Sequence, residues 1–126
     1  MRRSYIKIFV ASSLLAVLFS CSKSSDDNSS AACTVIYTDS QPILSDQAVQ
    51  YNAGVEGKGG TITSISYLDS AGTTEVKNPS LPWVKTVNLK KGAMPSITAI
   101  GTAYKGGQVN VSAFADGIQS GTSCIN

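Results

Sequence analysis

Most acid–base and nucleophilic catalysis in proteins runs through histidine, and this 126-residue sequence contains none. That removes Ser-His-Asp and Cys-His arrangements and most zinc sites together. The carboxylates that could act instead, Asp39, Asp46, Glu56, Asp69, Glu75 and Asp116, are scattered and mostly sit beside Gly or Ser. Such positions suit solvated turns; a spatial pair of the glycosidase kind is the alternative that sequence spacing leaves open. Serines are abundant, but no Gly-x-Ser-x-Gly element accompanies them. The glycine-rich stretch 54–60 lacks the Lys-Ser/Thr ending of a phosphate loop. Lys90-Lys91 reads as a solvated turn and not as a nucleic-acid patch. The expectation is a non-enzyme with no catalytic residue, no metal ligand and no cofactor.

Cysteine is where chemistry remains. Residues 1–20 read as an export signal, with Arg2, Arg3 and Lys7 ahead of the apolar run 8–19. At 1.5 Å per residue that run makes a helix of about 18 Å, short of a hydrocarbon core of ~30 Å. It ends in Leu18-Phe19-Ser20-Cys21, which resembles a bacterial lipobox. The resemblance implies that Cys21 is lipidated, begins the mature chain and anchors it in the outer membrane. Removing residues 1–20 leaves seven lysines against eight acids, so the +2 of the whole chain becomes −1. The basic excess belongs to the export segment and implies no nucleic-acid partner.

Residues 22–32 are polar and low in complexity, so with Cys21 they form an expected disordered tether over 21–32. Lys23 and Asp26-Asp27 resemble the acidic export tag of Bacteroidota surface lipoproteins, which implies display on the cell surface; the periplasmic face is the alternative. Once Cys21 is acylated, Cys33 and Cys124 are left as an even pair in an oxidising compartment. They stand at the two ends of the remaining domain, 33–126, as a disulfide joining its terminal strands would. Closing a loop of that length is worth roughly 4–5 kcal/mol in the chain-entropy model. No CxxC spacing suggests a redox role.

The elements that carry these residues are short and β-rich. Candidate strands run over 33–38, 47–53, 61–68, 73–77, 83–89, 96–104, 108–115 and 118–125, separated by Gly, Pro, Asp and Ser clusters. Val109, Val111, Ala113 and Ala115 share one face, opposite Gln108, Asn110 and Ser112. In 61–68 the alternation slips between Ile62 and Ile65, which predicts a bulge near Thr63-Ser64. Asp69-Ser70-Ala71-Gly72 and Lys105-Gly106-Gly107 read as hairpin turns. No stretch after residue 32 sustains a helical period. The pattern predicts an all-β, antiparallel immunoglobulin-like sandwich of seven or eight strands, with a small closed barrel as the alternative. Trp83, aimed at one face by Leu81-Pro82, is the expected core anchor, with Tyr67 and Ile97 as neighbours.

Tyr51, Ile65-Ser66-Tyr67-Leu68-Asp69, Leu81-Pro82-Trp83 and Asp116-Gly117 occur in an order that resembles the extracytoplasmic domain of the mycobacterial small membrane protein family (MmpS). The resemblance covers roughly residues 49–120 and implies an Ig-like sandwich and a role assisting a lipid or siderophore exporter. The chain departs from that pattern in two places. A candidate lipid anchor stands where those members have a transmembrane helix, and Val111 stands where a cysteine precedes the Asp-Gly turn. Asp69-Ser70-Ala71 also resembles the O-glycosylation sequon of Bacteroidota, which makes Ser70 a candidate acceptor. The expected function is a non-catalytic envelope lipoprotein acting as an interaction or accessory domain, partnered by another envelope protein. The alternative is a free-standing surface module for glycans or host protein.

Overall fold

The structure, a computed structural model, describes residues 29–126. Cys21 and most of the segments read as signal and tether lie outside the described residues. Eight strands follow: β1 (Ser30–Thr38), β2 (Gln47–Gly57), β3 (Gly60–Asp69), β4 (Gly72–Lys77), β5 (Trp83–Leu89), β6 (Ser96–Tyr104), β7 (Gly107–Ala115) and β8 (Ile118–Ile125). They form two four-stranded antiparallel sheets, ordered β1-β6-β3-β4 and β5-β2-β7-β8. This is the expected two-layer sandwich; it shares the immunoglobulin architecture with a strand order of its own.

Period-two patterning builds the core. Val49, Tyr51 and Ala53 of β2 and Val109, Val111 and Ala113 of β7 point inward from one sheet. Cys33 and Val35 of β1, Ile65 and Tyr67 of β3, and Ile97 and Ala99 of β6 meet them from the other. Tyr51 sits at the centre, with its ring 5.6 Å from that of Tyr67. Its hydroxyl donates to the Leu68 carbonyl at 2.9 Å and accepts from the Ser96 N–H at 3.3 Å. A β2 side chain thereby serves two strands of the opposite sheet.

One turn and one bulge have clear local causes. Asp116 and Gly117 both take positive φ, 51° and 77°, as a two-residue type I′ hairpin between β7 and β8 requires. Gln47 then locks that turn: the Asp116 N–H donates to its Oε1 at 2.7 Å, and its Nε2 donates to Asp116 Oδ1 at 2.8 Å. The slip foreseen in β3 is real, with the register shifting between Ile62 and Ser64 against β6. Thr63 is the extra residue. Its Oγ1 donates to the Ile100 carbonyl at 3.0 Å and its own carbonyl accepts from the Asn78 N–H at 2.8 Å.

The structure corrects several expectations. β1 begins at Ser30, inside the segment read as tether, because Ala31 and Ala32 continue the ladder against Ala103 and Thr102. The stretch 54–60 is not a long loop, since β2 runs to Gly57 and only Lys58 and Gly59 turn. Lys105-Gly106 does not close a hairpin: β6 and β7 lie in different sheets, so this turn crosses the sandwich. Trp83 does not occupy the centre of the core. It opens β5, an edge strand, so a neighbour covers it on one side only; it is partly buried and packs on Tyr67 at 5.3 Å between rings. Ile97, named as its neighbour, is fully buried.

Candidate functional site

The cystine is the first chemical feature. Cys33 lies on β1, the edge of one sheet, and Cys124 on β8, the edge of the other, and they are disulfide-bonded with 5.9 Å between Cα atoms. Ninety-one positions separate them in sequence, so the bond spans nearly the whole domain and closes one open side of the sandwich. Ser70 stands exposed at the tip of the β3–β4 hairpin, where its N–H donates to Asp69 Oδ1 at 2.6 Å.

Of the scattered carboxylates, the structure brings Asp39 and Asp116 to one shallow depression of about 160 Å³ beside Tyr37. Both have structural work. Asp39 accepts from the Tyr37 hydroxyl, and that bond, with some burial, holds the phenol above its ordinary range. Asp116 accepts from Gln47 and from the Leu44 N–H at 3.3 Å. Asp46 accepts from the Lys91 N–H at 2.8 Å, which holds its carboxyl below the ordinary range, with Lys90 Nζ 3.6 Å away. These carboxylates pin loops at the end of the domain opposite Ser30. Among the described residues no group of three or more His, Cys, Asp or Glu is placed to hold a metal.

The feature that sequence reading missed is the outer face of the β5-β2-β7-β8 sheet. Its strands present Gln50, Asn52, Asn88, Gln108, Asn110 and Gln119 outward, six carboxamides on one surface. The four strands of the other sheet contain no Asn or Gln at all; their outer face carries Thr and Ser with Ile36, Ile100 and Tyr104, and on β4 the ion pair of Glu75 and Lys77. In register, Asn52 sits opposite Ser112 and Gly54 opposite Asn110. Because Gly54 has no side chain, the surface dips there, and Leu81-Pro82, joined by a cis peptide bond, walls the dip. The depression measures about 460 Å³. Glu56 is the one charged residue in its lining, and Gln108 Nε2 donates to its Oε1 at 3.1 Å. Half of this signal lay in the sequence, as the polar half of the β7 alternation. The pairing of β7 with β2 is what assembles it.

Two antiparallel sheets, a tyrosine bridging them and an intersheet cystine define a small disulfide-tied β-sandwich domain. The family described as Mycobacterium membrane protein matches residues 5–113, from the apolar N-terminal segment through most of β7, and the chain belongs to this family. No curated protein and no solved structure matches it. Membership makes this a membrane-associated protein.

Proposed function

We propose that this chain is a non-catalytic envelope lipoprotein, anchored in the outer membrane through acylated Cys21, whose sandwich works as an accessory to an export or surface complex. The single observation that carries this reading is the family match over residues 5–113. Further support comes from the carboxylates, which cap turns and partner backbone groups in place of pairing for acid–base work. The hook at Cys21 and the strand start at Ser30 leave eight intervening residues. At full extension those span about 30 Å, which holds the domain close to the bilayer. The loops carrying Asp39, Asp46 and Ser70 then face away from it, toward a partner, and Ser70 is open to a glycosyltransferase.

Crosslinking in the native envelope, with identification of what is captured, tests the accessory role. Recovery of a membrane transport component supports it, and a domain that crosslinks only to itself refutes it. Cys21→Ser tests the anchor separately: the variant should leave the membrane fraction, and unchanged attachment removes the lipid.

A further inference from the structure

We propose that the carboxamide face of the β5-β2-β7-β8 sheet is a binding site for a neutral saccharide, seated in the depression between Asn52, Asn110, Gln119 and Pro82. The inference stands on the geometry of that face and is independent of the accessory role.

Four observations carry it. The first is chemistry. A carboxamide offers a donor and an acceptor side by side, the complement of vicinal hydroxyls, which each donate and accept. The Asn52 and Asn110 carboxamides line the depression, half-buried, and make no side-chain hydrogen bond to another described residue. Gln119 Nε2 donates to Ser112 Oγ at 3.0 Å, which holds that group at the rim. The second is charge. With Glu56 held by Gln108 and no cation in the lining, the site favours an uncharged ligand over phosphate or nucleic acid.

The third observation is shape. About 460 Å³ falls within the range of small-ligand sites. The depression lies on a sheet face, where the backbone groups are already paired, so an added peptide strand finds no ladder to extend. The fourth is the exposed Phe114, at 42% accessibility, two residues along β7 from Ser112 and in register with Gln119. An aromatic ring open at the border of a hydroxyl-binding surface suits the C–H face of a pyranose. A face serving only to keep the sheet solvated would be expected to carry Lys and Glu, the residues most common on protein surfaces. Here the inner strands β2 and β7 present four carboxamides, Gln50, Asn52, Gln108 and Asn110, with Glu56 as their one charge and no lysine.

The test uses the full chain, oxidised and in detergent micelles, titrated with neutral hexasaccharides of glucose, mannose, galactose and N-acetylglucosamine while side-chain NH₂ resonances are followed by NMR. At least one should bind at up to millimolar concentration and shift the Asn52 and Asn110 signals. Asn52→Ala with Asn110→Ala should weaken it about tenfold or more, and Phe114→Ala should weaken it independently. Thr98→Ala, on the opposite outer face, should change nothing. Absence of binding by all four sugars overturns the proposal. So does binding that survives both Asn substitutions and Phe114→Ala, or binding restricted to anionic sugars or to extended peptides. Because Phe114 is exposed, its variant provides a reading even if the double variant fails to fold.

Discussion

The Tyr51 hydroxyl crosses the sandwich to the Leu68 carbonyl, 2.9 Å away, and so joins two sheets that share no strand ladder. Tyr51→Phe keeps the ring contact with Tyr67 but leaves that carbonyl and the Ser96 N–H without a buried partner. The expected loss is about 1–3 kcal/mol. Urea unfolding should show it as a lower midpoint at unchanged slope. An unaltered midpoint would mean that water satisfies both groups.

The same residue sets an alkaline limit. Burial pushes the Tyr51 phenol up to about 12, against an ordinary 10.0, even though the Ser96 N–H pulls the other way. The unfolded tyrosine ionises first, so stability is intact below about pH 10 and falls as pH rises toward about 12. The loss should reach about 2–3 kcal/mol across that window. Tyr37, raised by its bond to Asp39, adds in the same direction. Denaturant midpoints measured between pH 9 and 12 should flatten clearly in Tyr51→Phe; an equal slope in both proteins would assign the effect elsewhere.

Breaking the cystine should be costly. Cys33→Ser with Cys124→Ser frees a loop of 91 positions. The chain-entropy model gives about 4–5 kcal/mol as the ceiling of the loss. Thermal unfolding of the double variant against the oxidised protein checks this, and an unchanged transition would show the bond to be idle.

Gly101 is fixed by close approach. A Cβ built there would lie 1.9 Å from the Thr61 carbonyl oxygen, where β3 bulges against β6. The atoms it would meet are backbone of Thr61 and Ile62 in β3, which cannot give way as a flexible side chain would, so Gly101→Ala should lose about 3 kcal/mol or more. Gly117→Ala, at φ 77° with open space around it, should lose only about 1 kcal/mol. Paired denaturation curves decide, and equal losses would contradict the geometry.

Trp83 is the only tryptophan, so its emission reports one place. Half-covered by Tyr67, it should emit to the blue of free indole and yield partly to acrylamide. Tyr67→Ala should shift it red; water-like emission in the parent would exclude the packing.

Strand positions were legible because alternation is written locally: Val109, Val111 and Ala113 announce an inward face without knowledge of their neighbours. The bulge at Thr63 was legible for the same reason, since an extra residue breaks parity where it stands. Partnership was not. Lys105-Gly106 has hairpin composition, yet Tyr104 and Gly107 belong to different sheets, a fact set by how eight strands share two layers. Trp83 misled because size suggests centrality, whereas position on an edge strand limits how many neighbours can cover it. The carboxamide face depends on β2 lying beside β7, with Asn52 and Asn110 on adjacent strands despite their separation in sequence. No local pattern contains that.

The position of the cystine also decides how the domain withstands pulling. The chain enters at Ser30, and Cys33 stands three residues on, bonded to Cys124. A pull applied between Ser30 and Asn126 can peel Ser30, Ala31 and Ala32 from β6, and there it meets a covalent link. Along that axis the load passes through the cystine into β8 at the opposite edge, and the segment between the two cysteines is shielded from extension.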